Sequence, residues 1–246
     1  MPATGPVLTN PPSDLLEGAS LFLDLDGTLA EFVSPSAEVS FGSDLDHLLA
    51  ALSRRLEGRL AIVSGRALDN LITVVGNDAI ELAGSHGLER RRADGTIVPA
   101  EPPPALGRLV DEVRAFCGDR GLVWEEKPAG VTLHYRDNPA REAEVERFAD
   151  AAAERYGMRL QRGSMVRELR APGWDKGDVV HALMREPPFA SGSPVFVGDD
   201  LTDEDGFAAA VELGGSAVLV GEARPTAAQF RLPDVASVHA WLAGSK

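Results

Sequence analysis

Two kinds of hydrophobic pattern alternate along the first part of the chain. Short apolar runs at 21–23, 60–63 and 79–83 predict buried strands, and leucines at helical spacing over 45–56 predict a helix between the first two. The alternation returns near the end of the chain, with helices predicted near 176–185 and 205–212 and strands at 194–197 and 217–220. Strands that alternate with helices are typical of a parallel sheet with crossover helices.

The middle of the chain has a different order of elements. A proline-rich segment, 99–104, precedes a pattern of helix, hairpin, helix and hairpin. We predict the helices at about 105–118 and 139–156, and the strands at 122–126, 131–135, around 159–161 and at 165–169. Such a pattern indicates a small α+β unit with an antiparallel sheet.

These patterns predict an α/β fold with one insertion. We expect a flexible tail over residues 1–18, a Rossmann-like parallel-sheet core formed by 19–98 and 171–246, and an inserted α+β domain over 99–170. Within the core, Arg90-Arg91-Arg92 is predicted to be a solvated turn.

Composition and charge limit the partners. The chain of 246 residues has 44% apolar residues and no run that approaches the ~18 apolar residues needed to cross a bilayer. The net charge of −14 argues against nucleic acid and anionic membrane as partners, because both bind basic surfaces. The same charge would repel a phosphate at long range, so a phosphate substrate would need a bound metal or well-placed Lys and Arg side chains.

Cys117 is the single cysteine, which excludes an intramolecular disulfide and fits a reducing compartment. Its place in a helical apolar pattern predicts a buried thiol rather than a nucleophile.

Residues 1–13 lack the basic and apolar segments of a signal peptide, so we predict a cytoplasmic protein. The sequence leaves the oligomeric state open and is compatible with a monomer.

The first candidate for chemistry is the run Asp24-Leu25-Asp26-Gly27-Thr28, directly after the first strand. Asp24 and Asp26 lie at i and i+2, so their side chains can point the same way. Two close carboxylates need a cation between them or a shared proton, and Mg²⁺ prefers such oxygen ligands. Gly27 permits a sharp turn, and Thr28 supplies a hydroxyl and an amide. A polar turn without catalytic function is the alternative for this run taken alone.

Three further motifs follow other strands or begin helices. Ser64-Gly65-Arg66 offers a hydroxyl and a free amide for a phosphate, although a helix cap would use Ser64 in the same way. Lys176 at a helix start can neutralise a phosphoryl group or simply lie at the surface. The run Gly198 to Glu204 follows a buried strand, and strand ends of this kind bind ligands in open α/β sheets, although a solvated acidic loop is the alternative.

In their order and placement, these four motifs resemble those of the haloacid-dehalogenase superfamily of phosphatases. The resemblance implies that Asp24 is the nucleophile that becomes an aspartyl phosphate, and that Asp26 is the general acid and base. It implies Mg²⁺ as cofactor, and an inserted domain that acts as a cap. The implied phosphate-binding groups are Thr28, Ser64, Gly65 and the catalytic Lys176, and the implied metal site is formed by Asp24, Asp26 through its carbonyl, Asp199 and Asp203.

More specific phrases resemble the trehalose-phosphatase family. They are Gly84-Ser85-His86-Gly87-Leu88-Glu89, Lys127 before Val131 to Arg136, Arg167-Glu168-Leu169-Arg170 and Pro172 to Gly177. The resemblance implies hydrolysis of trehalose 6-phosphate, with the sugar bound by Arg66, His86, Lys127, Arg136 and Glu168. A salt bridge within the cap is the alternative for Lys127 and Glu168, and a buried structural histidine is the alternative for His86. Ala30-Glu31 stands where a proline is common in the family, and we interpret this as a local loop difference.

Three other functions remain open at this stage. A phosphatase for sucrose 6-phosphate or a glycosyl-phosphoglycerate would share the cap and differ only in cap contacts. A phosphomutase would share the fold but return the phosphoryl group to a sugar. A non-catalytic binding protein is the third possibility, against which the intact Asp24, Asp26, Lys176 and Asp199 argue.

Overall fold

The computed structural model describes residues 8–31, 43–76, 79–98, 102–127, 129–172 and 175–244. The chain divides into two compact units. The larger unit contains Met1–Pro99 and Trp174–Lys246, and the smaller unit contains Ala100–Gly173. Residues 1–7 of the predicted tail and 99–101 of the predicted linker lie outside the described residues.

The larger unit is built from two stretches of chain that flank the smaller unit. Its first stretch contains β1 (Ala19–Leu23), α1 (Ser43–Arg55), β2 (Leu60–Val63), α2 (Leu68–Val75), β3 (Glu81–Gly84), β4 (Glu89–Arg91) and β5 (Ile97–Val98). The smaller unit contains α3 (Leu106–Gly118), β6 (Val123–Lys127), β7 (Gly130–His134), α4 (Glu142–Tyr156), β8 (Arg159–Gly163) and β9 (Val166–Arg170). The second stretch of the larger unit contains α5 (Lys176–Leu183), β10 (Ser193–Gly198), α6 (Glu204–Glu212), β11 (Ser216–Val220), β12 (Phe230–Leu232) and α7 (Val235–Leu242).

The described strands of the larger unit form one sheet in the order β12-β11-β10-β1-β2-β3-β4-β5. The strands from β12 to β3 pair in parallel, and β4 and β5 add an antiparallel edge. The chain winds outward from β1 in one direction through β2 and β3, and from β10 in the other through β11 and β12. The strand order therefore reverses between β1 and β10, and open α/β sheets bind their ligands at such a point, outside the carboxyl ends of the strands.

Alternate residues of the central strands pack on opposite faces of this sheet. In β1, Leu21 and Leu23 join the core cluster that contains Leu49 of α1, whereas Phe22 joins the cluster on the other face. All three side chains are fully buried. Burial on both faces explains why these strands are continuous apolar runs without alternation, as expected for a parallel sheet covered by helices.

The smaller unit has an antiparallel sheet in the order β6-β7-β9-β8. Val131 and Leu133 of β7 share a core with residues of α3 and α4, among them Leu109 and Val145. Cys117 lies in this core, where burial raises the pKa of its thiol to about 11. A thiol with this pKa stays protonated near neutral pH and is a poor nucleophile, as the sequence predicted.

The parallel-sheet α/β class predicted from the sequence is confirmed, and several local predictions need correction. Residues 8–18 of the predicted flexible tail pack on the larger unit, because Thr9 bridges to Phe230 of β12 and Leu16 is buried. Arg90-Arg91-Arg92 is not a solvated turn: Arg90 and Arg91 lie buried in β4. Among the described residues, no helix combines the length and the apolar character needed to cross a membrane.

Candidate active site

Asp24 continues β1 beyond its last residue, at the point where the strand order reverses. Its main-chain N–H donates to the carbonyl of Val197 in β10 at 2.9 Å, which fixes it at the carboxyl edge of the sheet. The chain then turns, because the N–H groups of Leu29 and Ala30 both donate to the carbonyl of Leu25 at 2.9 Å. The Asp24 side chain is only 7% exposed. The carboxylate is thus held in a buried position by main-chain geometry.

Gly27 allows this turn to approach the loop after β10. Its φ of 85° lies in the left-handed region that favours glycine. A Cβ atom at this position would lie 2.2 Å from Oδ2 of Asp199. Only a glycine therefore permits the carboxylate of Asp199 to lie against the turn that follows Asp24.

Lys176 is the buried cation of the site. Its Nζ donates to Oδ1 of Asp24 at 2.7 Å and to Oδ1 of Asp203 at 2.6 Å, and its side chain is 3% exposed. It is the first residue of α5, and Asp175 caps this helix by accepting the N–H groups of Gly177 and Asp178. The cap fixes the start of the helix, and with it the direction in which Lys176 enters the site.

The loop 199–205, which we call the acidic loop, is folded around Asp203. The side chain of Asp203 is completely buried, and its Oδ2 accepts the main-chain N–H groups of Asp199 and Asp200 at 3.0 and 2.9 Å. A Cβ on Gly198 would lie 2.3 Å from Cγ of Asp203, so the strand must end in glycine for this side chain to fold back. The loop therefore presents Asp199 next to Asp24 and Lys176.

Negative charge exceeds positive charge in this cluster. Asp24, Asp199 and Asp203 each offer one carboxylate oxygen, and these oxygens lie within 4.8 Å of one another. Burial, followed by the neighbouring Asp203 and Asp200, raises the pKa of Asp199 to about 6. Burial also raises the pKa of Asp24, against the opposing effect of Lys176. For Lys176 itself, burial lowers the pKa, but Asp203 and Asp24 outweigh it and the pKa lies above its usual value.

This cluster fits a hard divalent cation. The ammonium of Lys176 contacts Asp24 and Asp203, whereas burial and the neighbouring carboxylates raise the pKa of the third carboxyl group, that of Asp199. Oxygen ligands of this kind suit Mg²⁺, which is commonly bound by one or two carboxylates together with a substrate phosphate. The donor set could therefore hold a metal ion, and Mg²⁺ as that ion stays a prediction.

Asp26 and Arg66 form a two-point ion pair. Nε of Arg66 donates to Oδ2 of Asp26 at 2.7 Å, and Nη2 lies 2.5 Å from Oδ1. The hydrogen bond to Asp26 is the main reason why the pKa of Arg66 is raised. In this structure the guanidinium of Arg66 binds the predicted general acid and base, Asp26, at two points, and the sugar contact of Arg66 stays a prediction.

Ser64 and Gly65 follow β2, beside the end of β1. The hydroxyl of Ser64 accepts the N–H of Arg66 at 3.1 Å, but Ser64 does not cap α2, whose N-cap is Ala67 without a side-chain hydrogen bond. His86 lies close to Gly65, since a Cβ on Gly65 would be 2.9 Å from Cε1 of the imidazole. Thr28 is buried, and its hydroxyl lies 3.5 Å from Oδ1 of Asp199. These groups occupy the same edge of the sheet as Asp24.

Three predicted sugar-binding residues belong to the smaller unit. Lys127 at the end of β6 and Glu168 in β9 form an ion pair of 3.3 Å, and both side chains are largely buried. Arg136 is exposed just after β7. The ion pair agrees with the salt-bridge alternative for Lys127 and Glu168, and it does not exclude a contact with sugar hydroxyls.

One residue near the acidic loop was given no role by the sequence analysis. Arg224 follows β11 and donates to main-chain carbonyls of the acidic loop. It also lines a cleft of about 380 Å³ in the larger unit, together with Gly27 and Asp199. Its position in the sequence could have indicated a role, because Arg224 follows a predicted parallel strand and therefore lies at the ligand-binding edge of the sheet.

Comparisons with known proteins agree with this geometry. A model of the trehalose-phosphatase family matches residues 22–236, which is most of the chain. The chain belongs to the trehalose-phosphatase family. Its relatives in this family include a probable trehalose-phosphate phosphatase of Sinorhizobium fredii (strain NBRC 101917 / NGR234), which is 38% identical over 213 residues that cover 85% of this chain and 80% of the relative. The trehalose-6-phosphate phosphatase of Escherichia coli (strain K12) is 37% identical over 224 residues, or 90% and 84% of the two chains.

Solved structures of similar fold include members of the same family. The C-terminal domain of C. albicans trehalose-6-phosphate phosphatase has a TM-score of 0.78 at 23% identity, and the match covers 98% of this chain and 99% of that domain. A haloacid dehalogenase-like hydrolase from Bacteroides thetaiotaomicron has a TM-score of 0.68 at 15% identity, with coverage of 91% and 97%. At these identities the likeness shows the fold. The predicted fold class and family resemblance are thereby confirmed, whereas the roles of individual residues stay predictions.

Proposed function

We propose that this member of the trehalose-phosphatase family hydrolyses trehalose 6-phosphate to trehalose and phosphate, with Mg²⁺ as cofactor and a phosphoryl intermediate on Asp24. One observation carries the chemistry: buried Lys176 contacts both Asp24 and Asp203, next to Asp199. This arrangement combines a carboxylate nucleophile with the cations that a phosphate ester requires. Family membership supports the substrate.

In the first step, a carboxylate oxygen of Asp24 attacks phosphorus and the bond from phosphorus to the sugar oxygen breaks. Asp26, two residues along the chain, donates its proton to the departing sugar oxygen. In the structure Arg66 binds the ionised carboxylate of Asp26 at two points, so Asp26 must take up a proton as this pair opens before it can act as the acid. The product trehalose leaves, and the phosphoryl group stays on Asp24 as an acyl phosphate.

In the second step, Asp26 accepts a proton from water, and the resulting nucleophile attacks the phosphoryl group. The bond to Asp24 breaks, and its carboxylate is restored as phosphate departs. Lys176 stays protonated throughout, because its pKa lies above the usual value, and it therefore offers a permanent positive charge. Thr28, Ser64 and the amide of Gly65 would bind the remaining phosphoryl oxygens.

The residues that would hold Mg²⁺ are Asp24, Asp199, Asp203 and the main-chain carbonyl of Asp26. When bound, the ion neutralises charge on the phosphoryl group and on the surrounding carboxylates. The net charge of −14 makes this local compensation necessary, since the protein as a whole repels the substrate.

We expect activity to depend on a divalent cation. An excess of the chelator EDTA should remove phosphate release, and added Mg²⁺ should restore it, because Asp24, Asp199 and Asp203 offer three oxygen ligands within 4.8 Å of one another. The measurement is the initial rate of phosphate release against free Mg²⁺ concentration. Asp199→Asn should shift the midpoint of that curve at least about tenfold to higher Mg²⁺. Activity that persists in excess EDTA would contradict the metal assignment.

We expect trehalose 6-phosphate to be a better substrate than other sugar phosphates. Its kcat/KM should exceed those of glucose 6-phosphate and sucrose 6-phosphate by about a hundredfold or more, because a site that hydrogen-bonds sugar hydroxyls rejects ligands that leave its polar groups unpaired. The measurement is phosphate release across a panel of sugar phosphates. Equal rates for trehalose 6-phosphate and glucose 6-phosphate would defeat the specific assignment.

Glu168→Gln provides the matched variant for the same panel. If Glu168 binds a sugar hydroxyl, the variant should raise the KM for trehalose 6-phosphate and leave hydrolysis of the small ester p-nitrophenyl phosphate unchanged. An equal loss of activity with both esters would favour the structural ion pair with Lys127 instead.

The same panel distinguishes a phosphatase from a phosphomutase, because a phosphatase releases free phosphate whereas a phosphomutase returns the phosphoryl group to a sugar. A cytoplasmic location and the absence of nucleic-acid partners stay predictions of the sequence.

A further inference from the structure

The acidic loop has an internal anchor in Asp203. Asp203 accepts the N–H groups of Asp199 and Asp200 and thereby holds the nitrogen side of both residues. The main-chain N–H of Asp203 also donates to the carbonyl of Asp200 at 3.1 Å, so Asp203 holds Asp200 from both sides. The direction of the Asp199 carboxylate depends on both sides, because a side chain turns with the peptide units that flank its Cα.

Arg224 supplies an anchor on the carbonyl side. Its Nη2 donates to the main-chain carbonyl of Asp200 at 2.8 Å and to that of Asp199 at 3.3 Å. Its Nη1 donates to the carboxylate of Glu204 and to the carbonyl of Pro225 at 3.3 Å. A single guanidinium thus joins the beginning of the acidic loop to the first residue of α6.

Glu204 connects this anchor to the neighbouring segment. Its second carboxylate oxygen accepts the N–H of Ala227 at 2.8 Å, so Glu204 ties the start of α6 to the chain just after Arg224. The Arg224 side chain is 22% exposed, so water screens its ion pair and limits the contribution to stability. The effect to expect from these bonds is mainly one of orientation.

We propose that Arg224 is a positioning residue for the predicted metal ligand Asp199. Its bonds to two successive carbonyls add a second anchor to the peptide units on either side of Asp200, the first of which carries the carbonyl of Asp199. Its charge offsets the repulsion among the five carboxylates of the acidic loop. Arg224 acts through Asp199 and not on the reacting atoms. The inference rests on the Mg²⁺ site of the proposed function and adds to it a residue outside the predicted ligands.

The test is the dissociation constant of Mg²⁺ for the full chain without substrate, measured by isothermal titration calorimetry. Arg224→Met keeps the aliphatic stem and removes every donor, and it should weaken Mg²⁺ binding by about tenfold or more. Arg224→Lys keeps the charge but lacks the planar fork, so its affinity should lie between those of wild type and Arg224→Met. At saturating Mg²⁺, kcat should change much less than the Mg²⁺ concentration at half-maximal activity.

Arg231→Met is the matched control. Arg231 lies in β12 and donates from Nε to the carbonyl of Gly221 at 2.6 Å. Like Arg224, it therefore holds the segment between β11 and β12, but it does so through Gly221 and not through the acidic loop. This variant should keep the wild-type affinity for Mg²⁺ even if its thermal stability falls.

The possible outcomes separate the two proposals. If wild type binds Mg²⁺ and Arg224→Met binds it equally well, the role of Arg224 is overturned and the metal site stands. If wild type itself binds no Mg²⁺, the proposed metal site fails and the inference fails with it. If Arg224→Met does not fold, Arg224→Lys decides, because wild-type affinity in that variant would show that the forked bonds to the carbonyls are not required.

Discussion

Asp24→Asn is expected to abolish phosphate release and leave the fold intact. An amide has no free carboxylate oxygen to attack phosphorus, so the proposed first step cannot occur. The side chain keeps its size, and Lys176 keeps its second contact, to Asp203, at 2.6 Å. We expect the rate to fall by about four orders of magnitude or more, as when other enzymes lose a nucleophile. The measurement is steady-state phosphate release from trehalose 6-phosphate, with circular dichroism to establish folding.

Asp69→Asn is the control for this substitution. Asp69 is an exposed aspartate in the first turn of α2, outside the proposed catalytic and binding residues, and its variant should retain wild-type turnover. Acid quenching of wild type during turnover should leave one phosphoryl group on the peptide that contains Asp24, detectable by mass spectrometry. Near-normal activity in Asp24→Asn, or a phosphoryl group on another peptide, would show that the mechanism is wrong.

Lys176→Met should cost both stability and activity. The substitution leaves Asp24 and Asp203 buried without their shared cation, and removal of one partner from a buried ion pair typically costs about 3–5 kcal/mol. Turnover should fall by at least about a hundredfold, because a buried positive charge next to the phosphoryl group is lost. Urea denaturation measures the first effect, and phosphate release at saturating Mg²⁺ measures the second.

A double variant separates charge from packing at this position. Lys176→Met combined with Asp203→Asn removes one buried negative charge together with the positive one. It should regain part of the stability lost in the single variant, which a double-mutant cycle would measure as a coupling energy. Additive losses would mean that the destabilisation comes from lost packing, and the electrostatic account of Lys176 would then be wrong. Added Mg²⁺ should also raise the stability of wild type, since a ligand that binds only the folded state stabilises it.

The acidic character of the whole chain gives these local charges their importance. A net charge of −14 repels a sugar phosphate at long range, and three of the carboxylates that contribute to it lie in the candidate site. Under the proposed function, Lys176, Arg66 and a bound cation would supply the attraction at short range. Arg224 would act behind the cluster, where it compensates the acidic loop without contacting the substrate.

Some elements escaped prediction for identifiable reasons. β4 contains Arg90 and Arg91, and a run of arginines favours an exposed turn on composition alone. In the structure Arg90 pairs with Glu186, which comes from a segment distant in sequence, and this pairing makes its burial tolerable. α7 had a usable signal, because its buried residues Val235, Val238 and Leu242 keep helical spacing.

The sequence by itself determined the class of the fold and the groups available for chemistry. Apolar runs such as 60–63 are long enough only for buried strands, and their alternation with helices specifies a parallel sheet. Carboxyl ends of parallel strands meet at one edge, so Asp24, Ser64 and Asp199 could be assigned to a common site without coordinates. Each of these inferences depends only on where a residue lies relative to the strand or helix next to it, and the spacing of apolar residues reveals those strands and helices.

Only the tertiary structure decided which side chains meet. Lys176 contacts Asp24 across 152 positions of sequence, Arg66 pairs with Asp26 across 40, and Arg224 reaches the carbonyl of Asp200 across 24. Each contact depends on how distant segments pack and on the rotamer that packing permits. A hydrophobic pattern specifies which face of an element is buried, but it does not specify which partner a polar side chain finds at the edge of the sheet.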